Sequence, residues 1–170
     1  MKKSLILLFA AVFAIGTTAF AQKSIKLGHL NSTDLMQIMP GKDSAQAAFQ
    51  AEVDMHEAQL KAMQEEYQSK INDYQERQSQ MTDLIRKTKE QELLDLRQRI
   101  ENYSQNATQQ LQEKEQELLQ PIIDRAKKAI AEVAKENGYT YIFDTTGGAL
   151  LYQQDSDDIL PLVKKKLGLN

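Results

Sequence analysis

Two histidines, His29 and His56, and no cysteine make up the imidazole and thiol inventory of this 170-residue chain. A metal set built on His and Cys spacing is therefore out of reach, and there is no thiol nucleophile. Carboxylates are plentiful, as in Glu65-Glu66, Asp73, Glu76 and Glu90, but acid–base chemistry needs such groups positioned together at a reacting group. Here they stand among lysines and arginines at a spacing of four, the pattern of a solvated helix face. Asp144-Thr145-Thr146 offers an acid beside hydroxyls, yet Gly147-Gly148 follows at once and turn chemistry accounts for the run. That Gly-Gly pair also lacks the Lys-Ser/Thr of a phosphate-binding loop. These residue types point to a non-enzyme with no cofactor and no metal.

The elements that carry these residues are unusual in proportion. No glycine or proline occurs between Lys42 and Gln120, a stretch rich in glutamine, glutamate, lysine and small apolar residues. Val53, Leu60, Tyr67, Tyr74 and Met81 step by seven, with Ala48 or Phe49, His56, Met63 and Ile71 between them. This is a coiled-coil seam, softened by tyrosine, methionine, alanine and histidine where leucine and isoleucine would pack more tightly. Leu93, Leu96, Ile100, Tyr103, Ala107 and Leu111 continue it at spacings of three and four, drifting towards an eleven-residue repeat that flattens the supercoil.

The flanks read as strands and short helices. Ser24 to Leu30 alternates as a strand, Asn31 to Asp34 offers helix caps, and a short helix Asp34 to Ile38 stops near Met39-Pro40-Gly41. Asn137-Gly138 is a strong helix stop. Tyr139 to Asp144, a Thr-Thr-Gly-Gly turn and Ala149 to Tyr152 then predict a β-hairpin. A final helix from Asp157 to Leu167 has an acidic start and Lys164-Lys165-Lys166 near its end, matching the helix dipole. A lone strand and a lone hairpin are each marginal in water, so they must share a sheet. The long helical stretch therefore folds back on itself, near Thr82 to Lys89, and returns to its origin. With no glycine inside the limbs, any hinge is expected near the base, at Pro40-Gly41 and Pro121.

Lys2 and Lys3, the apolar run Leu5 to Ile15 and Ala19-Phe20-Ala21 read as a cleaved signal peptide, with a mature start at Gln22. The apolar run is too short to span a bilayer. Without a cysteine after the cleavage point, lipid attachment there is excluded. The 21 basic and 24 acidic residues become 19 and 24 once Lys2 and Lys3 are removed, which argues against a nucleic-acid binder. With 6% aromatic residues and no tryptophan, so elongated a chain gains stability by self-association. Tyr141, Ile142 and Phe143 are consecutive, so the sheet is apolar on both faces, and Ile25, Leu27, Tyr141, Ile142, Phe143, Leu150 and Leu151 are the expected oligomerisation residues.

Several blocks together resemble the Skp/OmpH family of periplasmic chaperones. They are the leader, Asn31 after a strand, the Met39-Pro40 break, the Gln-rich helical pair, Pro121-Ile122-Ile123, Val133 to Tyr139, Phe143-Asp144, Leu151-Tyr152 and Asp158-Ile159. The resemblance implies an α+β fold: a long antiparallel helical-hairpin arm on a small β-sheet base that trimerises into a β-barrel body. Residues 1–21 are then the signal peptide, 22–42 and 121–170 the base, and 43–120 the arm. It also implies an ATP-independent periplasmic holdase, a homotrimer holding unfolded outer-membrane β-barrel proteins between its arms. A structural coiled-coil scaffold of the envelope is the alternative.

On that footing the client surface is expected at inward-facing apolar positions of the arm, Met63, Tyr67, Ile71, Tyr74, Met81, Leu84, Leu96 and Tyr103, because methionine and tyrosine adapt to varied partners. The same positions would serve equally as the seam between limbs. Arg77, Arg86, Lys87 and Lys89 form a basic cluster at the expected tip, for weak contact with anionic lipid or lipopolysaccharide. The acidic balance of the mature chain sets it apart from strongly basic family members.

Overall fold

The computed structural model describes residues 25–169. The expected leader and its expected cleavage point lie outside these residues. Strand β1, Leu27–Leu30, leads into helix α1, Ser32–Ile38, through Asn31, whose side chain accepts hydrogen bonds from the Thr33 and Asp34 amides. The short helix begins at these caps and ends two residues before Pro40. Gly41, at φ 93°, makes a left-handed turn favouring glycine and starts helix α2, Lys42–Arg77.

The limbs reverse over a 3-10 turn at Gln78–Gln80, and helix α3 follows at Asp83–Glu136. The reversal comes earlier than the expected Thr82 to Lys89. Thr82 caps α3 by accepting the Ile85 amide, and Asp83 sits in its first turn, so the local chemistry starts a helix there. At 1.5 Å per residue the two helices are roughly 54 Å and 81 Å long.

Helix α3 runs through Pro121, so no interruption separates arm from base at this residue. An interior proline costs about 3 kcal/mol. Directly after it, Ile122, Ala126, Ala129 and Val133 are buried at three- and four-residue spacing, and that packing offsets the missing hydrogen bond. The helix stops as expected: Asn137 bonds back to the Val133 carbonyl, Tyr139 to that of Ala134, and Gly138 takes φ 70°.

The expected β-hairpin does not form. Strand β2, Tyr141–Asp144, pairs in parallel with β1, matching Leu27 to Tyr141 and Leu30 to Asp144. The sheet has two strands, joined by the whole helical hairpin as a crossover. After β2 the chain turns to the end of β1, where the Thr145 amide reaches the Leu30 carbonyl at 3.0 Å. Ala149 to Tyr152 is unpaired and does not return along β2.

The core lies where the hairpin roots meet the sheet, with Leu35, Ile159 and Val163 fully buried. Ile159 precedes helix α4, Leu160–Leu167, whose first turn holds Pro161 and whose first amide bonds to Asp158 Oδ1 at 2.8 Å. Lys166 ties α4 to α3 through Glu132 at 3.1 Å and Glu136 at 2.6 Å. These carboxylates hold the Lys166 ammonium above the usual lysine range, led by the Glu136 hydrogen bond. Among the described residues no helix is long and apolar enough to cross a membrane.

Candidate binding surfaces of the arm and base

The seam between α2 and α3 is narrow. His56 and Met63 on α2 are buried, as are Leu96 and Ala107 on α3. His56 Nδ1 lies 2.8 Å from the Tyr103 hydroxyl, fixing the antiparallel register. Met63 is seven residues past His56 and Leu96 seven before Tyr103, so both fall in the same seam. Nearer the tip the Tyr74 hydroxyl donates to Glu90 Oε1 at 2.6 Å, which holds the phenol above its usual range. Between the limb roots, Lys42, Ala45, Phe49, Leu118 and Leu119 line an apolar notch of about 150 Å³.

Outside the seam, glutamine amides donate to acidic or asparagine side chains four residues on. Examples are Gln50 to Asp54, Gln91 to Asp95, Gln109 to Glu113 and Gln120 to Asp124. Lys61–Glu65, Lys70–Glu66 and Arg77–Asp73 are ion pairs at the same spacing. Such pairs each contribute about 0.2–0.5 kcal/mol to a helix, which suits limbs with little tertiary burial.

Of the eight apolar positions expected to meet a client, Met63 and Leu96 are buried in the seam at 8% and 3% exposure. Tyr67, Ile71, Tyr74, Met81 and Tyr103 are half-buried. Leu84, beside the tip, is 76% exposed. On the arm, three exposed apolar residues stand outside the expected set: Met55, Ile85 and Leu94. Their signal was there for Met55 and Leu94, apolar residues off the register of their own limb's seam.

The tip is less cationic than its basic residues suggest. Arg77 pairs with Asp73 at 2.9 Å, Arg86 with Asp83, and Lys89 with Glu92 at 3.0 Å. Between residues 73 and 92 the sequence holds four basic and five acidic residues. Lys87 alone of the cluster has no acidic partner among the described ion pairs. The described residues contain no group of three or more His, Asp or Glu able to hold a metal ion.

At the base, the sheet turns Gly28 and Leu30 to the core and leaves Leu27, Tyr141 and Phe143 exposed on the opposite face. The Tyr141 and Phe143 rings lie 6.5 Å apart. His29 shares their face but is covered, its Nε2–H donating to the Gln154 carbonyl at 2.8 Å. Leu27, Phe143, Leu150 and Tyr152 line one shallow depression, while Ile25 and Leu151 are also exposed. Ile142 departs from this set, packing half-buried against the chain's own core. Parallel sheets are ordinarily covered on both faces, so this apolar face lacks a cover among the described residues.

The family model described as "Outer membrane protein (OmpH-like)" matches residues 26–167. The chaperone protein Skp of Photorhabdus luminescens is 28% identical over 169 residues, covering 98% of this chain and 99% of its own. The chaperone protein Skp of Pectobacterium atrosepticum is 23% identical over 153 residues, covering 90% and 92%. A solved chain described as an OmpH-like outer membrane chaperone from Caulobacter crescentus CB15 aligns with a TM-score of 0.73 at 11% identity, over 89% of this chain and 88% of its own. That likeness bears on the fold. Since the family model spans the sheet, both limbs and the terminal helix, the chain belongs to the OmpH-like outer membrane protein family.

Proposed function

We propose that this protein is an ATP-independent periplasmic holdase, a homotrimer that keeps unfolded outer-membrane β-barrel proteins from aggregating before insertion. The observation that carries the reading is a hairpin arm held by a seam so narrow that Met55, Leu84, Ile85 and Leu94 stay about half exposed or more. Relatives described as the chaperone protein Skp give that apolar surface a use. Unfolded β-barrel chains aggregate through unpaired strand edges and apolar side chains, and many weak apolar contacts along flexible arms block this without fixing one binding mode. Self-association is supported by the uncovered apolar face of the sheet at Leu27, Tyr141 and Phe143. Exposed apolar patches of this kind mark interaction sites.

The test dilutes a urea-unfolded outer-membrane β-barrel into buffer with and without the chain from Gln22 to Asn170, with no nucleotide, and follows light scattering. Suppression saturating near one client per three chains is the expected result. Unchanged scattering, with sedimentation showing an assembled rod, would move the assignment to an envelope scaffold.

A further inference from the structure

The arm contains a polar break at His56, the seam position where the heptad sets a histidine among apolar residues. His56 is 7% exposed, and His29, down at the base, is the other buried polar residue among those described. Its Nδ1 meets the Tyr103 hydroxyl. Its Nε2 is a buried side-chain atom without a hydrogen-bond partner. The rings are tilted by 55° with centroids 5.8 Å apart, so they touch without stacking.

Either tautomer leaves the same defect. If Nδ1 accepts from Tyr103, Nε2 carries an unanswered N–H; if Nδ1 donates, Nε2 holds a bare lone pair. A buried polar atom without a partner raises the energy of the closed seam, and water would satisfy it on opening. At Met63 and Leu96 the balance runs the other way, because opening there exposes apolar surface. Ala107, one turn beyond Tyr103, adds little apolar area to hold the limbs together. Tyr103 is itself half-buried, so solvent already reaches the edge of the pair.

We propose that His56–Tyr103 is a built-in parting point of the arm. Here α2 and α3 separate locally, on a faster scale than global unfolding, while the tip side at Met63–Leu96 and the core at the limb roots stay closed. This places the arm's mobility inside the limbs, away from Pro40-Gly41 and Pro121. Buried polar residues in helical seams also fix register, so one pair would both align the limbs and let them part. The inference concerns the arm alone and stands or falls without the holdase reading.

Amide hydrogen exchange on the full chain tests it. Segments 53–60 and 100–107 should exchange faster than 61–71 and 88–98. His56→Leu removes the polar break and should slow exchange in both segments about ten-fold. Tyr103→Phe leaves both ring nitrogens of His56 without a partner and should speed it by a similar factor. The proposal is overturned if the wild-type segments are the best protected of the arm. It is equally overturned if His56→Leu, with helix content unchanged by circular dichroism, exchanges as fast as wild type or faster.

Discussion

The Ser32 hydroxyl donates to Asp144 Oδ2 at 2.6 Å, tying the start of α1 to the end of β2 at the base, 112 positions apart in the chain. The Ser32 amide reaches Oδ1 of the same carboxylate at 3.1 Å and the Thr146 amide reaches it at 3.0 Å. These donors, the Ser32 hydroxyl first, hold the Asp144 pKa down to about 2 from its ordinary 3.8, with burial opposing. A carboxyl whose folded pKa is depressed lends stability that is complete above its unfolded value and is lost as pH falls through the folded one. Asp144 therefore contributes in full above pH 3.8 and loses its contribution on the way down to about 2. Asp144→Asn should cost about 1 kcal/mol at neutral pH, the scale of a net hydrogen bond. Thermal melts of both forms from pH 6 to pH 2 should converge at the acid end; a constant gap would show that the charge is immaterial.

Gly28 is required by close contact rather than by backbone conformation. A Cβ there would lie 2.9 Å from Tyr139 Cε1 and 3.0 Å from Ile159 Cγ2. Neither neighbour moves freely, since Lys26 Nζ sits 4.1 Å above the Tyr139 ring and Ile159 is fully buried. Gly28→Ala should destabilise the base by about 1–3 kcal/mol, the usual cost of overpacking. Urea denaturation would show a lower midpoint with an unchanged slope, and a wild-type midpoint would contradict the close packing.

The helices were legible because their signals are local. Asn137-Gly138 stops α3 where a left-handed residue is needed, and the glycine-free stretch is helical on both sides of a turn. That β1 and β2 share a sheet was legible, but that Ala149 to Tyr152 stays out of it was not. Thr145-Thr146-Gly147-Gly148 announces a turn, but nothing in it says that Asp144 will be held by Ser32, 112 positions away. That long-range bond directs the chain towards β1, where a local hairpin was expected. The arm surface was half legible for a related reason. A heptad lists the apolar residues of a limb, and only the pairing of His56 with Tyr103 decides that Met63 and Leu96 close the seam while Leu84 stays out.

Seam and surface separate by substitution. Met63→Glu places a charge in the buried seam without a partner and should melt the arm, costing about 3 kcal/mol or more. Leu84→Glu with Ile85→Glu changes residues that are 76% and 48% exposed, where substitutions ordinarily stay within about 0.5 kcal/mol. Helicity by circular dichroism should fall for the first variant and hold for the second. Under the holdase reading the second should still bind an unfolded β-barrel client several-fold more weakly. Full affinity in the double variant would remove the tip from the client surface.

The ion pairs at the tip lead to an expectation about membranes that the basic residues alone would reverse. Vesicle binding by a cationic patch depends on unneutralised charge within a Debye length of the surface, about 10 Å at 0.1 M salt. Arg77, Arg86 and Lys89 each sit against a carboxylate, and the window from 73 to 92 has one more acid than base. The wild-type arm should accordingly show little salt-sensitive association with vesicles rich in anionic lipid. Exposed pairs are worth about 0–1 kcal/mol each, so removing their acidic halves should leave the fold intact and expose the cations. Asp73→Asn, Asp83→Asn and Glu92→Gln together should create vesicle binding that co-sedimentation detects at low salt and that fades as salt is raised. If the wild type already binds strongly and the triple variant adds nothing, the attraction comes from elsewhere on the chain, and the tip carboxylates do not screen it.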